Sequence, residues 1–347
     1  MKRLALTVFL MSFALPAAFS AAGQDAEQAK SMQALRELAQ GKNVEANVAW
    51  LRGVIDHSAD PGALATQIGE TLLNEQRFEQ AQPFLELARQ KRPQDGEVAY
   101  ALGRVHTALH HYLEGFESLA AAEQLLGSGH HPYLHLYLSL VLTGLQKEDA
   151  ALQRAQQAID EARGWNDDMA AHAAGSDPRG PLVDLTEFEL NLAFVERSFK
   201  KTDAALARVD RVIALIGNDP ASAKRLAKAW FERAQLLDSK GDFDGARAAF
   251  AKQRELAPQD AKGAYEFASF LIRRSDHAAA RPLLEQVIAL DPDHEGAHYN
   301  LARTLLRLGE KTKGEQAMAR YRQLYDARIH GEAKLSELRL ALTERAK

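Results

Sequence analysis

The amino-acid sequence predicts an all-α protein built from a repeated helical unit, on three observations. The first is a 34-residue period: Trp230, Ala264 and His298 stand 34 apart, as do Ala234, Ala268 and Ala302, then Ala246, Ala280 and Gly314, then Phe250, Leu284 and Met318. Periods of this length mark arrays of one supersecondary unit. The second is the return of the template near the N-terminus, where Gly69 and Gly103, Ala81 and Gly115, and Leu85 and Leu119 are each separated by 34. The third is punctuation. Pro258 and Pro292 close two units with a residue that has a fixed φ and no amide hydrogen.

The 347 residues are 46% hydrophobic and 26% charged and include no cysteine, which excludes disordered, collagen-like and disulfide-stapled classes. Lys and Arg number 43 against 47 for Asp and Glu, a net charge of -4 that is the opposite of a nucleic-acid footprint. Residues 1–22 have the layout of a cleaved export signal: basic Lys2 and Arg3, an apolar run from Leu4 to Leu15, a break at Pro16, then small residues. Cleavage before Ala21 or before Gly23 fits equally. The run is shorter than the ~20 apolar residues of a membrane span, and without cysteine no lipid anchor can follow it. The expectation is an exported protein without a stable membrane anchor, periplasmic in a Gram-negative bacterium and otherwise secreted.

The period and its residue types resemble the tetratricopeptide repeat, in which a large residue followed by Leu-Gly or Leu-Ala begins the first of two antiparallel helices and Ala with a large apolar residue continues the second. The stretch His298-Tyr299-Asn300-Leu301-Ala302 is closest to the family pattern, with His in the usual place of Trp; Trp230 keeps the usual residue. The resemblance implies a right-handed superhelical solenoid of helix hairpins. Small residues such as Ala234, Ala268, Ala302, Gly69 and Gly103 let the helices of a hairpin approach, and Phe250 and Leu284 fill the space between neighbouring hairpins.

Taken in order, residues 23–58 form a degenerate leading helix pair, with Met32, Leu35, Leu38 and Val48, Leu51, Val54 on apolar faces. Seven units follow within 62–328, at 62–95, 96–129, 132–165, 186–219, 227–260, 261–294 and 295–328. The unit at 132–165 contains a stretch, His135 to Leu142, that alternates like a strand; Ala151, Ala155 and Ala158 at helical spacing assign it to helix. The intervals from Gly115 to Ala151, Ala205 and Ala246 carry 2, 20 and 7 extra residues, and the largest insertion is expected as a loop near 164–182. Residues 332–346, with Leu335, Leu338 and Leu342 on one side, read as a helix capping the stack. One elongated domain results, with no room for a separate catalytic domain of ~100 residues.

His294-Glu295-Gly296-Ala297-His298 matches the zinc-peptidase pattern H-E-x-x-H. Its context argues for a core: Pro292 places His294 at the helix start, and His298 occupies the position of Trp230. The histidines His106, His110, His111, His130, His131 and His135 are divided by the repeat geometry between opposite edges, too far apart for shared ligation. No phosphate-binding loop, nucleophile elbow or dinucleotide fingerprint is present, so no enzyme, metal or cofactor is expected.

In the repeat family the first helices line a concave groove through their second, fifth, ninth and twelfth positions. The fifth places hold Thr66, Tyr100, Leu136, Leu190, Phe231, Tyr265 and Tyr299, which with Tyr133, Leu140 and Phe194 make an apolar strip; it either binds a partner or buttresses the next helix. Arg273, Arg303 and Arg307 near Tyr265, Tyr299 and Asn300 suit an extended peptide carrying an acidic group. The pattern lacks the Lys and Asn of the family's carboxylate clamp. These residues lead to an exported, non-enzymatic adaptor that holds a segment of another envelope protein in the groove. The alternatives are a structural subunit of an envelope polysaccharide-export or outer-membrane assembly, and a zinc metallopeptidase using His294, Glu295 and His298.

Overall fold

The computed structural model describes residues 21–127, 129, 131–173, 183–217 and 220–344. Among them the chain forms sixteen α-helices and no strand. The leading pair is α1 (Ala21–Ala39) and α2 (Val44–Asp56), and α3 (Pro61–Asn74) with α4 (Phe78–Lys91) opens the regular hairpins. These continue as α5 (Gly96–Ala108) with α6 (Tyr112–Leu126), α7 (Pro132–Gly144) with α8 (Glu148–Ala173), and α9 (Leu185–Ser198) with α10 (Thr202–Ile216). The last three are α11 (Ala223–Lys240) with α12 (Phe243–Leu256), α13 (Ala261–Arg273) with α14 (His277–Leu290), and α15 (Glu295–Arg307) with α16 (Lys311–Glu344). The expected signal segment, apart from Ala21 and Ala22, lies outside the described residues.

One local device sets every hairpin. The first helix ends with a residue at positive φ: Gln76, His110, Gln146, Lys200, Gly241, Ser275 and Gly309. The Gln76 amide donates to the Leu73 carbonyl and the Arg77 amide to Leu72, and the same double bond recurs at the other six turns. This is the left-handed cap that satisfies the last carbonyls of a helix. The turns are spaced 34, 36, 54, 41, 34 and 34 residues apart, matching the intervals between small residues in the sequence. The next first helix is often opened by an Asp: Asp60 accepts from the Ala63 amide, Asp95 from Glu97 and Val98, and Asp184 from Thr186. Such caps contribute about 1 kcal/mol each.

Within each hairpin a small residue faces a large one. A Cβ on Gly69 would stand 2.5 Å from Leu85 Cγ, and one on Gly103 the same distance from Leu119 Cγ. Phe250 serves both its own hairpin and the next: its ring is 6.2 Å from Phe231, 5.2 Å from Phe267 and 5.5 Å from Phe270.

Packing divides the chain into two compact units, one up to Arg154 together with the chain from Ala333, the other Ala155–Glu332. Repeat arrays are held by nearest-neighbour contacts, and the division falls in the widest repeat interval. The core of the first unit contains Leu35, Leu51, Ile68, Leu72, Phe84 and Leu85. In the second unit one core is built on Phe250, Phe270, Leu271 and Leu284, and another on Leu190, Val209 and Leu236.

Two boundaries differ from the expectation. Helix α8 runs through Ala173, so residues 164–173 of the segment expected as a loop are helical, and 174–182 lie outside the described residues. The Asn166 side chain donates to the Val183 carbonyl (2.9 Å) and accepts from its amide (2.8 Å), joining this helix to the chain before α9. The expected separate cap at 332–346 is the continuation of α16, which passes Gly331 without a break.

Candidate binding face

In the second unit the first helices α9, α11, α13 and α15 carry most of the residues singled out in the sequence. Tyr265 on α13 is half-buried, and its phenol oxygen accepts a hydrogen bond from Asn300 Nδ2 on α15 (3.1 Å). Its ring lies 4.6 Å from that of His294. Burial raises the hydroxyl above the usual tyrosine range. Gly296 leaves the space this side chain needs, since a Cβ there would stand 2.6 Å from the phenol oxygen.

Tyr299 on α15 is 37% exposed and packs 5.1 Å from Tyr321 of α16, which is 6.0 Å from Tyr325. The Arg303 guanidinium lies 5.5 Å from the Tyr299 ring. Arg303 and Arg307 are exposed, and neither has a carboxylate within 4.0 Å among the described residues, whereas Arg225, Arg233, Arg247, Arg281 and Arg320 are all ion-paired. Arg273 is paired as well, with Asp238 (2.7 Å), whose other oxygen takes Arg274 (3.0 Å). Phe231 belongs to the packing around Phe250, and Phe194 lies 5.3 Å from the Arg197 guanidinium.

In the first unit Tyr100 meets Tyr137 edge-on at 5.9 Å, and Arg104 lies 5.5 and 5.6 Å from the two rings. Burial pushes the Tyr100 hydroxyl well above its usual range. Leu136, expected on the exposed strip, is 8% exposed and belongs to the core; Leu190 of the second unit is buried more deeply, at 1%. Leu136 stands as far before its turn at Gln146 as Tyr100 does before His110, yet the ring that meets Tyr100 is that of the next residue, Tyr137. Arg104, Tyr137, Tyr321 and Tyr325 were missed in the sequence. The i, i+4 spacing of Tyr321 and Tyr325 was the available signal.

The H-E-x-x-H segment is occupied structurally. His294 Nδ1 accepts from the Ala297 amide as the cap of α15 (3.1 Å), and His298 Nε2 bonds the Pro292 carbonyl (2.9 Å). Glu295 pairs with Arg328 (2.9 Å). Of the clustered histidines, His110 Nδ1 shares a hydrogen bond with the Tyr112 hydroxyl (2.7 Å), and His135 is buried 3.1 Å from Arg154 Nη1; His130 lies outside the described residues. Among the described residues no three His, Asp or Glu side chains are placed to hold a metal. No described helix is long and apolar enough to cross a membrane.

Comparison with known proteins agrees with this architecture. Family models described as tetratricopeptide repeat match residues 227–260 and 271–332. The chain is similar to the TPR repeat-containing protein YpiA of Bacillus subtilis, 26% identical over 305 residues that cover 80% of this chain and 66% of the relative. It thus spans just under two thirds of that relative's length. Among solved structures, a tetratricopeptide repeat protein from Parabacteroides merdae matches with a TM-score of 0.56 at 13% identity, covering 81% of this chain and 99% of the other. The APC/C hetero-tetramer Cut9-Hcn1 gives 0.48 at 14% identity, covering 80% and 48%. Tetratricopeptide repeats are therefore present at 227–260 and 271–332, within an all-α helical-repeat fold.

Proposed function

We propose that the protein is an exported, non-enzymatic scaffold whose first-helix face in the second unit binds a segment of another envelope protein. Tetratricopeptide repeats support protein interaction in general. The observation that carries the reading here is the exposed Tyr299 beside Arg303 and Arg307, two guanidinium groups that have no carboxylate partner among the described residues, in a unit where most arginines are paired. Aromatic area beside free guanidinium suits a segment with apolar and acidic side chains. The export signal expected at 1–22 from the sequence pattern supports placing that partner in the envelope. Tyr265 and Asn300 hold α13 and α15 in register beneath this face.

The test is crosslinking mass spectrometry on the mature protein from its own compartment, in parallel with a Tyr299→Ala, Arg303→Ala, Arg307→Ala variant of unchanged melting temperature. A partner captured by the parent and lost by the variant supports the face. One captured equally by both removes it.

A second reading, a structural subunit of an envelope assembly, is favoured by Leu113 on α6 and Leu215 on α10, which are 66% and 79% exposed on second helices of their respective units. A stable large native complex that survives the triple substitution but is lost on Leu113→Asp or Leu215→Asp supports that reading.

A further inference from the structure

In the first unit, α1 and α2 enclose a pocket of about 380 Å³ that has an indole ring and a carboxylate among its walls. Lys30, Gln33, Ala34 and Glu37 share one face of α1 at helical spacing, and Ala46, Asn47 and Trp50 answer them from α2. Trp50 packs on the core of this unit and buries its Nε1, which fixes the ring. The exposed Lys30 reaches over that ring, its Nζ 3.6 Å from the centroid. Glu37 accepts from Gln33 on Oε1 (2.9 Å) and from Asn43 and Asn47 on Oε2 (3.0 and 2.9 Å). All three donors are neutral amides. They hold the carboxyl well below its usual range, so the negative charge is fixed at the pocket wall. Among the described residues no cation forms an ion pair with it, Lys30 included. A carboxylate offers about four lone-pair sites, and the three amides leave one, on Oε1.

We propose that this pocket binds a primary alkylammonium group, brought by a lysine side chain of another polypeptide or by a free amine. Lys30 is the chain's own stand-in: its ammonium shows what the ring accepts and leaves Glu37 without a counter-ion. An incoming ammonium replaces Lys30 on the indole face and donates an N–H to Glu37 Oε1. It gains cation–π attraction and a charge-assisted hydrogen bond from the same pocket. The contact it displaces is an exposed one, worth a factor of about two to five in an equilibrium constant, and the unbranched Lys30 stem can swing aside. A quaternary ammonium has no N–H to give and gains only the ring. The pocket lies wholly in the first unit, so it stands apart from the face proposed to bind a partner in the second.

The experiment follows the Trp50 indole N–H signal by NMR in the full mature protein, with the signal assigned by its loss in Trp50→Phe. The probes are acetyl-Gly-Lys-Gly-amide, the same peptide with norleucine or trimethyl-lysine in the central place, and n-butylamine. The lysine peptide is expected to shift the signal saturably, the trimethyl-lysine peptide to bind several-fold more weakly, and the uncharged norleucine peptide to leave the signal in place. Lys30→Ala is expected to bind the lysine peptide about two- to fivefold more tightly, a gain that a purely structural lysine does not give. Glu37→Gln is expected to bind it about tenfold more weakly. Should Glu37→Gln not fold, the gain in Lys30→Ala and the loss on trimethylation decide the matter. No saturable shift with the lysine peptide, equal binding of the norleucine peptide, or parent-like affinity in Lys30→Ala overturns the proposal. Tighter binding of the lysine peptide than of n-butylamine assigns the ammonium to a polypeptide; equal binding assigns the same pocket to a free alkylamine.

Discussion

The phenol oxygen of Tyr265 and the side-chain amide of Asn300, 35 residues apart on successive first helices, are joined by a 3.1 Å hydrogen bond. The bond couples two repeats on the face proposed to bind a partner. Tyr265→Phe removes the acceptor and is expected to cost about 0.5–1.5 kcal/mol in urea unfolding. An unchanged midpoint shows that the bond contributes nothing to coupling.

Lys200 stands at φ 61° between α9 and α10, at a position where a side chain has no role in the turn's two backbone bonds. A β-carbon is costly in this conformation and glycine is not. Lys200→Gly is therefore expected to stabilise the protein by about 0.5–1 kcal/mol, and Lys200→Val to destabilise it, in the same denaturation assay. The reverse order contradicts the assignment of a left-handed cap.

Gly103 shows the opposite constraint. An added methyl would stand 2.5 Å from Leu119 Cγ and 3.2 Å from its backbone nitrogen, and Leu119 is fully buried. Gly103→Ala is expected to lose about 1–3 kcal/mol through overpacking. A Gly103→Ala, Leu119→Ala pair should not regain the parent's stability, because it exchanges a clash for a void.

Glu37 accepts hydrogen bonds from Asn47, Asn43 and Gln33, and these donors hold its carboxyl at about 2. A depressed carboxylate contributes stability that is full above the ordinary value near 4.5 and is lost as pH falls toward 2. The prediction is a steeper loss of stability from pH 4.5 to 2 in the parent than in Glu37→Gln, with carbon-detected NMR titration of Glu37 locating the transition. Identical profiles for the two proteins reject it.

How much of this was legible in the sequence differs between fold and face. The repeat register was legible because glycine and alanine at the hairpin contacts, and prolines after the second helices, each answer to a strict local requirement; the seven turns fall at the same spacings. Helix α8 beyond Gly164 was not, because Trp165-Asn166-Asp167 reads as a loop until the Asn166 bonds to Val183 are seen. On the candidate face, Tyr265 and Asn300 form the contact, while Leu136 is core although it stands at the same distance from its turn as Tyr100, because the ring that packs on Tyr100 is that of Tyr137, one residue on. Arg273 was legible as a cation but not as a spent one. Its partner Asp238 lies one repeat back, where local patterning gives no view.

The constancy of the seven turns has an engineering consequence. No change in repeat length falls at the turn between the two helices of a hairpin; the insertions lie beyond the start of a second helix, the largest partly as added length of α8, so the end of each first helix, its left-handed turn and the start of the helix that follows behave as a cassette. A binding residue moved from one cassette to the same distance from another's turn keeps its address on the helix. Transplanting Tyr299, Asn300 and Arg303 is then a matter of counting backwards from Gly309 rather than of counting along the chain.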